Sequence, residues 1–188
     1  AIYEGGPTQD FKYDPIPLLL KGGNVAGFRK KKQYAVLYTS GVEPNWPDNV
    51  DIASRTFTYH GDRRNADGDL HSTPGNRFLE TQYQLYASAQ RDQLLPTFIF
   101  RKANSRTPRA VQFIGLAAFG SSHVPASEVL STYWCKVDDK QFLNYRVVYT
   151  ILAETFISRA WINDLLNGLL LTPNTPPLYR NFVETGRY

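Results

Sequence analysis

A loop with an aromatic and an acidic residue, followed by an aromatic strand, carries the side chains with the clearest binding chemistry. Trp46 and Asp48 lie in the loop, and Tyr59 lies near the end of a predicted strand at 55–60. An aromatic ring can stack on a nucleobase, which contributes about 1–3 kcal/mol per base. A carboxylate can accept a hydrogen bond from the N4 amine of cytosine, whereas thymine presents only the O4 acceptor there. These residues therefore predict a pocket for one cytosine.

Other residues nearby are alternatives for the same roles. Tyr34 and Tyr38, on the preceding strand, could supply the second stacking ring instead of Trp46, and Asp51 could replace Asp48 as the acceptor. Ordinary structural interpretations also exist, since Trp46 could pack over the core and Asp48 could be a turn residue. The residue types alone leave these alternatives open.

Basic residues flank this region, as a surface that contacts DNA phosphates would require. The chain has 21 Lys and Arg against 17 Asp and Glu, and its net charge of +4 permits an anionic partner without demonstrating one. A run of four cations at 29–32 precedes a strand, and a turn at 61–64 contains an acid and two arginines. Such runs are either solvated loops or sequence-independent DNA anchors. The predicted DNA-contacting residues are Arg29, Lys30, Lys31, Lys32, His60, Asp62, Arg63, Arg64 and Arg77.

No catalytic centre, metal site or cofactor is predicted within this chain. The three histidines lack the spacing of a zinc site, and the single cysteine, Cys135, excludes an internal disulfide. No Glu-x-Lys triplet occurs, and two near-matches to a nuclease motif, at 10–12 and 138–140, lie in an irregular arm and a hairpin turn. We expect Cys135 to be buried and inert. No apolar run approaches the roughly 20 residues of a membrane span.

Hydrophobic periodicity predicts an α+β fold. The segments of strand and helix type lack the βαβ rhythm of a parallel sheet, so we expect a curved, mostly antiparallel sheet or open barrel with two main helices. The predicted strands are 33–39, 55–60, 97–102, 110–119, 130–137 and 141–153. The predicted helices are 76–93, with Asn76 as its cap, and 158–170, with Ser158 as its cap.

Composition divides the chain into three parts. Residues 1–32 are rich in Gly and Pro and are expected to form an irregular arm. Residues 33–172 are expected to form the recognition domain, and the proline-containing stretch 173–188 a tail or a linker.

Several segments together are similar to a known family. The segments Leu-Tyr-Thr-Ser-Gly-Val-Glu-Pro-Asn-Trp-Pro-Asp at 37–48, Phe-Thr-Tyr-His-Gly-Asp-Arg-Arg at 57–64 and Leu-His-Ser-Thr-Pro-Gly-Asn at 70–76 resemble the N-terminal recognition domain of AspBHI/MspJI-type modification-dependent restriction endonucleases. Shorter matches lie at 113–117, 142–146 and 158–162, so the resemblance covers most of 15–165. It implies an SRA-like (PUA-like) fold, a crescent-shaped barrel that flips 5-methylcytosine into an aromatic pocket.

The resemblance also implies roles for individual residues. Tyr59 would stack on the flipped base, and Asp48 would read its edge, with Trp46, Tyr34 or Tyr38 as the second ring. Arg63 stands where the family pattern often has Asn, which puts the backbone or base contact of this turn in doubt.

The expected function is recognition of a modified cytosine, above all 5-methylcytosine, in double-stranded DNA, as the specificity domain of a restriction endonuclease of the prokaryotic cytosol. The resemblance implies a separate C-terminal nuclease domain that uses Mg²⁺ and through which the protein could form homo-oligomers. Three alternatives remain: a reader of a different DNA modification, a non-catalytic protein-interaction domain, and a free-standing enzyme with an unusual active site.

Overall fold

In the part of the chain that the structure describes, a nine-stranded mixed sheet and three α-helices form the fold. The computed structural model describes residues 2–3, 15–20, 27–104, 110–154 and 156–188. The strands are β1 (Ile2–Tyr3), β2 (Phe28–Lys30), β3 (Ala35–Thr39), β4 (Asn49–Asp51), β5 (Thr56–His60), β6 (Thr97–Lys102), β7 (Val111–Phe119), β8 (Leu130–Val137) and β9 (Lys140–Ile151). The α-helices are α1 (Pro74–Ala87), α2 (Arg159–Leu166) and α3 (Pro177–Thr185).

The sheet is mostly antiparallel and remains open. Its main order is β2-β3-β6-β7-β9-β5-β4, and only the pair β3–β6 is parallel. The predicted α+β class is therefore confirmed. Closure into a barrel is not found among the described residues, because the terminal strands β2 and β4 are three residues long and do not pair with each other.

Strand β9 connects the parts of the sheet. One edge of β9 pairs with β5. The other edge pairs with β7 near the end of β9 and with β8 over the earlier residues, so Thr150 lies between β5 and β7. This arrangement brings the end of β5, the middle of β8 and the middle of β9 side by side. These three stretches support the loop that precedes β4.

One hydrophobic core lies between the sheet and the helices. Phe78 and Leu79 of α1 and Trp161 of α2 are buried in it. The Trp161 ring lies 5.9 Å from that of Phe98, measured between centroids. Ser158 caps α2 as predicted, since its Oγ accepts a hydrogen bond from the Trp161 N–H at 3.0 Å.

Helix α1 begins earlier than the sequence predicts and also ends earlier. Pro74 occupies its first turn, where the missing N–H costs nothing, so Thr73 takes the cap position and Asn76 is buried within the helix. Ser88 is the C-cap, and Ala89 then adopts a left-handed φ of 57°, which ends the helical path.

Both predicted helices are present, and the segment 173–188, expected to be a tail or a linker, contains a third helix, α3. Pro176 and Pro177 start α3, because a proline is as suitable at the beginning of a helix as it is unsuitable in its interior. The helix packs through Tyr179 and Phe182, and the Tyr179 hydroxyl donates to Leu94 O at 3.0 Å.

The described part of 1–32 also contains structure, because Leu19 lies in a short 3-10 helix and is fully buried. The boundaries proposed for the recognition domain stay predictions. None of the helices in the described ranges combines the length and apolar character that crossing a bilayer requires.

Candidate nucleic-acid interface

The loop that contains Trp46 and Asp48 is fastened to the sheet at several points. Asn45 O accepts hydrogen bonds from the Tyr133 hydroxyl at 3.0 Å and from the Cys135 thiol at 3.2 Å. Trp46 Nε1 donates to Arg63 O at 3.1 Å. The loop is therefore held against β8 and the turn after β5, as a preorganised site requires.

Asp48 has one carboxylate oxygen fixed and one left without a hydrogen bond. Its Oδ1 accepts from the His60 backbone N–H at 2.8 Å and lies 3.1 Å from His60 Nδ1. The His60 ring in turn meets the Tyr133 ring edge-on, with centroids 4.7 Å apart. Within the described residues, Oδ2 accepts no hydrogen bond, although the side chain is only 9% exposed. A ligand with an amine donor would satisfy this oxygen.

Tyr59 lies close to Asp48 but is buried at 3% exposure. Burial raises the pKa of its hydroxyl well above the ordinary value, and the carboxylates of Asp48 and Asp62 raise it further. The hydroxyl also lies next to β2, since a Cβ placed on Gly27 would be 3.9 Å from Tyr59 Oη. The structure thus brings together the two residues that the sequence analysis placed first.

The alternative pocket residues have other surroundings. Tyr34 is 1% exposed, and its ring meets Phe98 edge-on in the core. Tyr38 is half-buried on β3. Asp51 closes a local turn, because its Oδ1 accepts from the Ala53 and Ser54 N–H groups. Hydrogen bonds from Ser54 lower the Asp51 pKa further than its slight burial raises it.

Asp62 caps helix α1 from outside the helix. Its carboxylate accepts hydrogen bonds from the Thr73 hydroxyl, from the Gly75 N–H at 2.9 Å and from the Asn76 N–H at 3.0 Å. The first N–H groups of a helix have no partner within it, so this contact fixes the start of α1. We therefore reassign Asp62 from DNA contact to support of α1.

Arg63 is used in the same way. It is 6% exposed, and its guanidinium donates to Leu143 O at 2.8 Å and to Ala66 O and Gly68 O at 3.2 and 2.7 Å. It also lies over the Phe142 ring, 5.2 Å from the centroid. These contacts occupy the side chain and join the turn to β9, so we reassign Arg63 from DNA contact as well.

Asn144 links these parts and escaped the sequence analysis. Its Nδ2 donates to Gly61 O at 2.8 Å, and its Oδ1 accepts from Asn76 Nδ2 at 2.9 Å. A Cβ on Gly61 would overlap Asn76 Oδ1 and lie 2.7 Å from Asn144 Oδ1. Asn144 is fully buried, and its only sign in the sequence was an amide between Leu143 and Tyr145 within a predicted strand.

The predicted cations fall into two groups. Arg29 donates a hydrogen bond to Leu20 O at 3.0 Å. The end of the Lys32 side chain lies beside Gly168, just after α2, and a Cβ added to that glycine would come within 2.9 Å of it. The Arg29 side chain is therefore held against the fold, whereas Lys32 is exposed. Lys30 is exposed, and Lys31 is half-buried.

Arg64 and Arg77 are also exposed, and each is oriented by a neighbour. The Arg64 guanidinium lies 5.2 Å from the centre of the Trp46 ring. Arg77 Nη1 donates to His71 O at 2.9 Å and to Ser72 O at 3.1 Å. Both guanidinium groups retain donors for a ligand.

Two open grooves flank α1. The first, about 580 Å³, lies against β8 and contains Glu80, Tyr83 and Tyr145. The second, about 300 Å³, lies against β2 and contains Lys30 and Arg77. Neither groove is lined by Tyr59 or Asp48. A base that stacked on Tyr59 would have to displace side chains that now cover its ring.

The described residues contain no group of three or more His, Cys, Asp or Glu side chains that could hold a metal ion. Cys135 is buried as predicted, and burial raises the pKa of its thiol.

The whole chain, residues 1–188, matches the family model described as Restriction endonuclease AspBHI N-terminal. Among solved structures it is similar to the DNA modification-dependent restriction endonuclease AspBHI, with a TM-score of 0.85 and 31% identity over 100% of this chain and 50% of that one. The chain thus spans half the length of AspBHI.

Two further structures are similar. The DNA recognition domain of the cytosine modification-dependent restriction endonuclease LpnPI has a TM-score of 0.83 and 34% identity, over 100% of this chain and 87% of that one. The MspJI restriction endonuclease, solved in complex with a 27-mer oligonucleotide, has a TM-score of 0.72 over 96% of this chain and 49% of that one. At 19% identity it shares the fold. No curated protein sequence matches the chain.

Proposed function

Since this chain belongs to the family of AspBHI-type restriction endonuclease N-terminal domains, we propose that it binds double-stranded DNA and recognises a modified cytosine, most simply 5-methylcytosine. The two relatives above 30% identity support this proposal, because one is named as DNA modification-dependent and the other as a cytosine modification-dependent recognition domain.

The observation that carries the proposal is the state of the Asp48 carboxylate. His60 fixes Oδ1 through its backbone and its ring, which leaves Oδ2 as an oriented acceptor near Tyr59. The N4 amine of cytosine is a donor that suits this oxygen. Thymine would present O4 to the same carboxylate, and the two acceptors would repel each other. The arrangement therefore favours cytosine and its 5-substituted forms over thymine.

Recognition at this site requires the base to leave the duplex. Inside the helix the N4 amine is paired and stacked, and Asp48 is too deeply placed to reach it there. We propose that the flipped base stacks on Tyr59, whose ring supplies about 1–3 kcal/mol against the cost of unstacking. Trp46, Tyr34 and Tyr38 remain the candidates for the second ring.

The 5-methyl group itself adds a modest free energy. Burial of one methyl or methylene contributes about 0.8 kcal/mol, which corresponds to about a fourfold change in affinity. A larger preference for methylated DNA would require the pocket to enclose the methyl group closely, so that the unmodified base leaves a void. The size of the preference therefore reports how closely the pocket fits.

The remaining steps belong to the longer protein. We place cleavage in a separate C-terminal nuclease domain that uses Mg²⁺, with any homo-oligomer formed through that domain and the whole acting in the prokaryotic cytosol. This chain matches 50% of AspBHI, so the other half of AspBHI is long enough to contain such a domain, which supports the proposal. The residues of this chain would then supply specificity alone.

A binding titration tests the proposed function. The domain is titrated with duplexes that differ only in one base, which is 5-methylcytosine, 5-hydroxymethylcytosine, cytosine or thymine. We expect tightest binding to a modified cytosine and weakest binding to thymine. Equal affinity for all four duplexes would exclude modified-base recognition, and absence of binding to any duplex at low salt would favour a protein-interaction domain instead.

A fluorescence measurement tests base flipping separately. With 2-aminopurine placed beside the modified cytosine, extrusion of the cytosine would unstack the probe and raise its emission. Tight, modification-dependent binding without a rise in emission would show that the base is read within the duplex.

A further inference from the structure

The groove between β2 and α1 combines an aromatic floor with a cationic rim. The Phe28 and Phe78 rings form the floor, with centroids 4.9 Å apart and planes tilted by 38°. Pro74 contributes a further apolar wall, and Lys30 and Arg77 are the charged residues of the lining. A volume of about 300 Å³ is too small for a folded partner but suits part of a nucleotide.

The two cations are available to an anion. Within the described residues, the Lys30 side chain makes no hydrogen bond or ion pair, and it is exposed. Arg77 is anchored through Nη1 to two backbone carbonyl oxygens, of His71 and Ser72, which leaves Nη2 and Nε for a ligand. A guanidinium that is already oriented loses less conformational entropy when it binds.

The charge of this groove differs from that of the other groove beside α1. Among the residues that the structure describes, no acidic side chain lines it, whereas Glu80 lines the groove against β8. The nearby carboxylate of Asp62 accepts hydrogen bonds from the Gly75 and Asn76 N–H groups, so these first N–H groups of α1 already have an acceptor. We therefore assign anion binding to the two side chains and not to the α1 N-terminus.

The groove also lies beside the candidate base pocket. Gly27 borders the Tyr59 hydroxyl, and β2 runs directly from there to Lys30. Three residues of strand span roughly 10 Å. The nucleotide next to one bound at Tyr59 would therefore lie over this groove.

We propose that this groove binds the sugar-phosphate backbone next to the recognised cytosine, with Lys30 and Arg77 on the phosphate and the sugar against Phe28 and Phe78. The inference rests on the proposed function and deepens it. It distinguishes these two cations from Arg29 and Arg63, whose side chains donate hydrogen bonds within the fold.

The salt dependence of DNA binding tests the groove. The affinity of the domain for a methylated duplex is measured over about 50 to 300 mM salt, across which the Debye length falls from about 14 to about 6 Å. The wild type, Lys30→Gln, Arg77→Gln and the double variant are compared. Each lost phosphate contact should reduce the slope of log affinity against log salt by about 0.9. The ratio of affinities for methylated and unmethylated DNA should stay unchanged, because neither residue touches the base.

Two further variants serve as controls. Arg77→Lys retains the charge and should keep most of the slope. Arg187→Gln removes an exposed cation near the other end of α1, roughly 20 Å away along the helix, and should leave the slope unchanged.

The outcomes separate the two proposals. Normal binding by Lys30→Gln and Arg77→Gln, with the wild-type slope, would overturn the groove assignment alone. Failure of the wild type to bind any duplex would overturn both the groove and the proposed function. A reduced slope only in the Lys30 and Arg77 variants would support the groove.

Discussion

Replacing Asp62 with alanine removes the cap of α1 without touching the core. The substitution takes away the acceptor for the Thr73 hydroxyl and for the Gly75 and Asn76 N–H groups. Asn76 is fully buried and Gly75 is buried too, so water reaches these two donors poorly. The free energy of unfolding should therefore fall.

The size of the loss follows from these contacts. A buried donor left without a partner costs about 1–3 kcal/mol, and the loss of an N-cap side chain alone costs about 0.5–2 kcal/mol. Water entering the space left by the carboxylate recovers part of the cost of two such donors. We expect a net loss of about 2–4 kcal/mol, which is a large fraction of the roughly 5–15 kcal/mol of a typical domain.

Urea unfolding followed by tryptophan fluorescence measures this difference. Asp62→Asn keeps one acceptor oxygen and should lose less stability than Asp62→Ala. At a temperature where the alanine variant stays folded, its DNA affinity should equal that of the wild type. An alanine variant within about 0.5 kcal/mol of wild-type stability but with weakened DNA binding would refute the cap and restore Asp62 as a DNA contact.

Three further predictions concern the same region. Gly61→Ala should prevent stable folding, measured by circular dichroism, because its Cβ would overlap Asn76 Oδ1. Arg63→Gln should lower the free energy of unfolding by several kcal/mol, since it removes three hydrogen bonds that a buried guanidinium donates to backbone carbonyl oxygens, whereas Arg64→Gln should change it by about 0.5 kcal/mol or less. Equal losses in the two variants would contradict this assignment. Cys135 should react with a thiol reagent at pH 8 only after unfolding, because burial raises its pKa and shields the sulfur; fast labelling of the folded protein would contradict this.

Local patterns predicted the elements that build the candidate site. The strand at 97–102 and the strand at 130–137 have their predicted bounds, because each is a short run with β-branched and aromatic residues next to a turn residue, Pro96 or Asp138. Asp48 and Tyr59 were placed together because loop and strand are close in sequence. Their proximity in the structure follows from the hydrogen bonds between the loop and His60.

Contacts between distant residues could not be predicted in the same way. Arg63 and Leu143 are 80 positions apart, so the sequence showed only an arginine in an exposed type of turn. Its burial depends on how β9 passes beside that turn. The third helix was missed for a local reason, since prolines at its start were interpreted as the end of order.

The role of Asp48 is the central claim, and one comparison tests it most directly. Asp48→Asn keeps an oxygen for the His60 N–H but presents an amide NH2 group in place of Oδ2. This NH2 group and the N4 amine of cytosine are both donors, so they would repel each other. The matched control is Asp51→Asn, at the last residue of β4, whose carboxylate accepts hydrogen bonds from the turn that follows. A hydrogen bond to a charged group contributes about 1.5–3 kcal/mol, so affinity for a 5-methylcytosine duplex should fall about 10-fold or more in Asp48→Asn and stay unchanged in Asp51→Asn. Full affinity of a folded Asp48→Asn variant, with the wild-type preference for the modified base, would contradict the account.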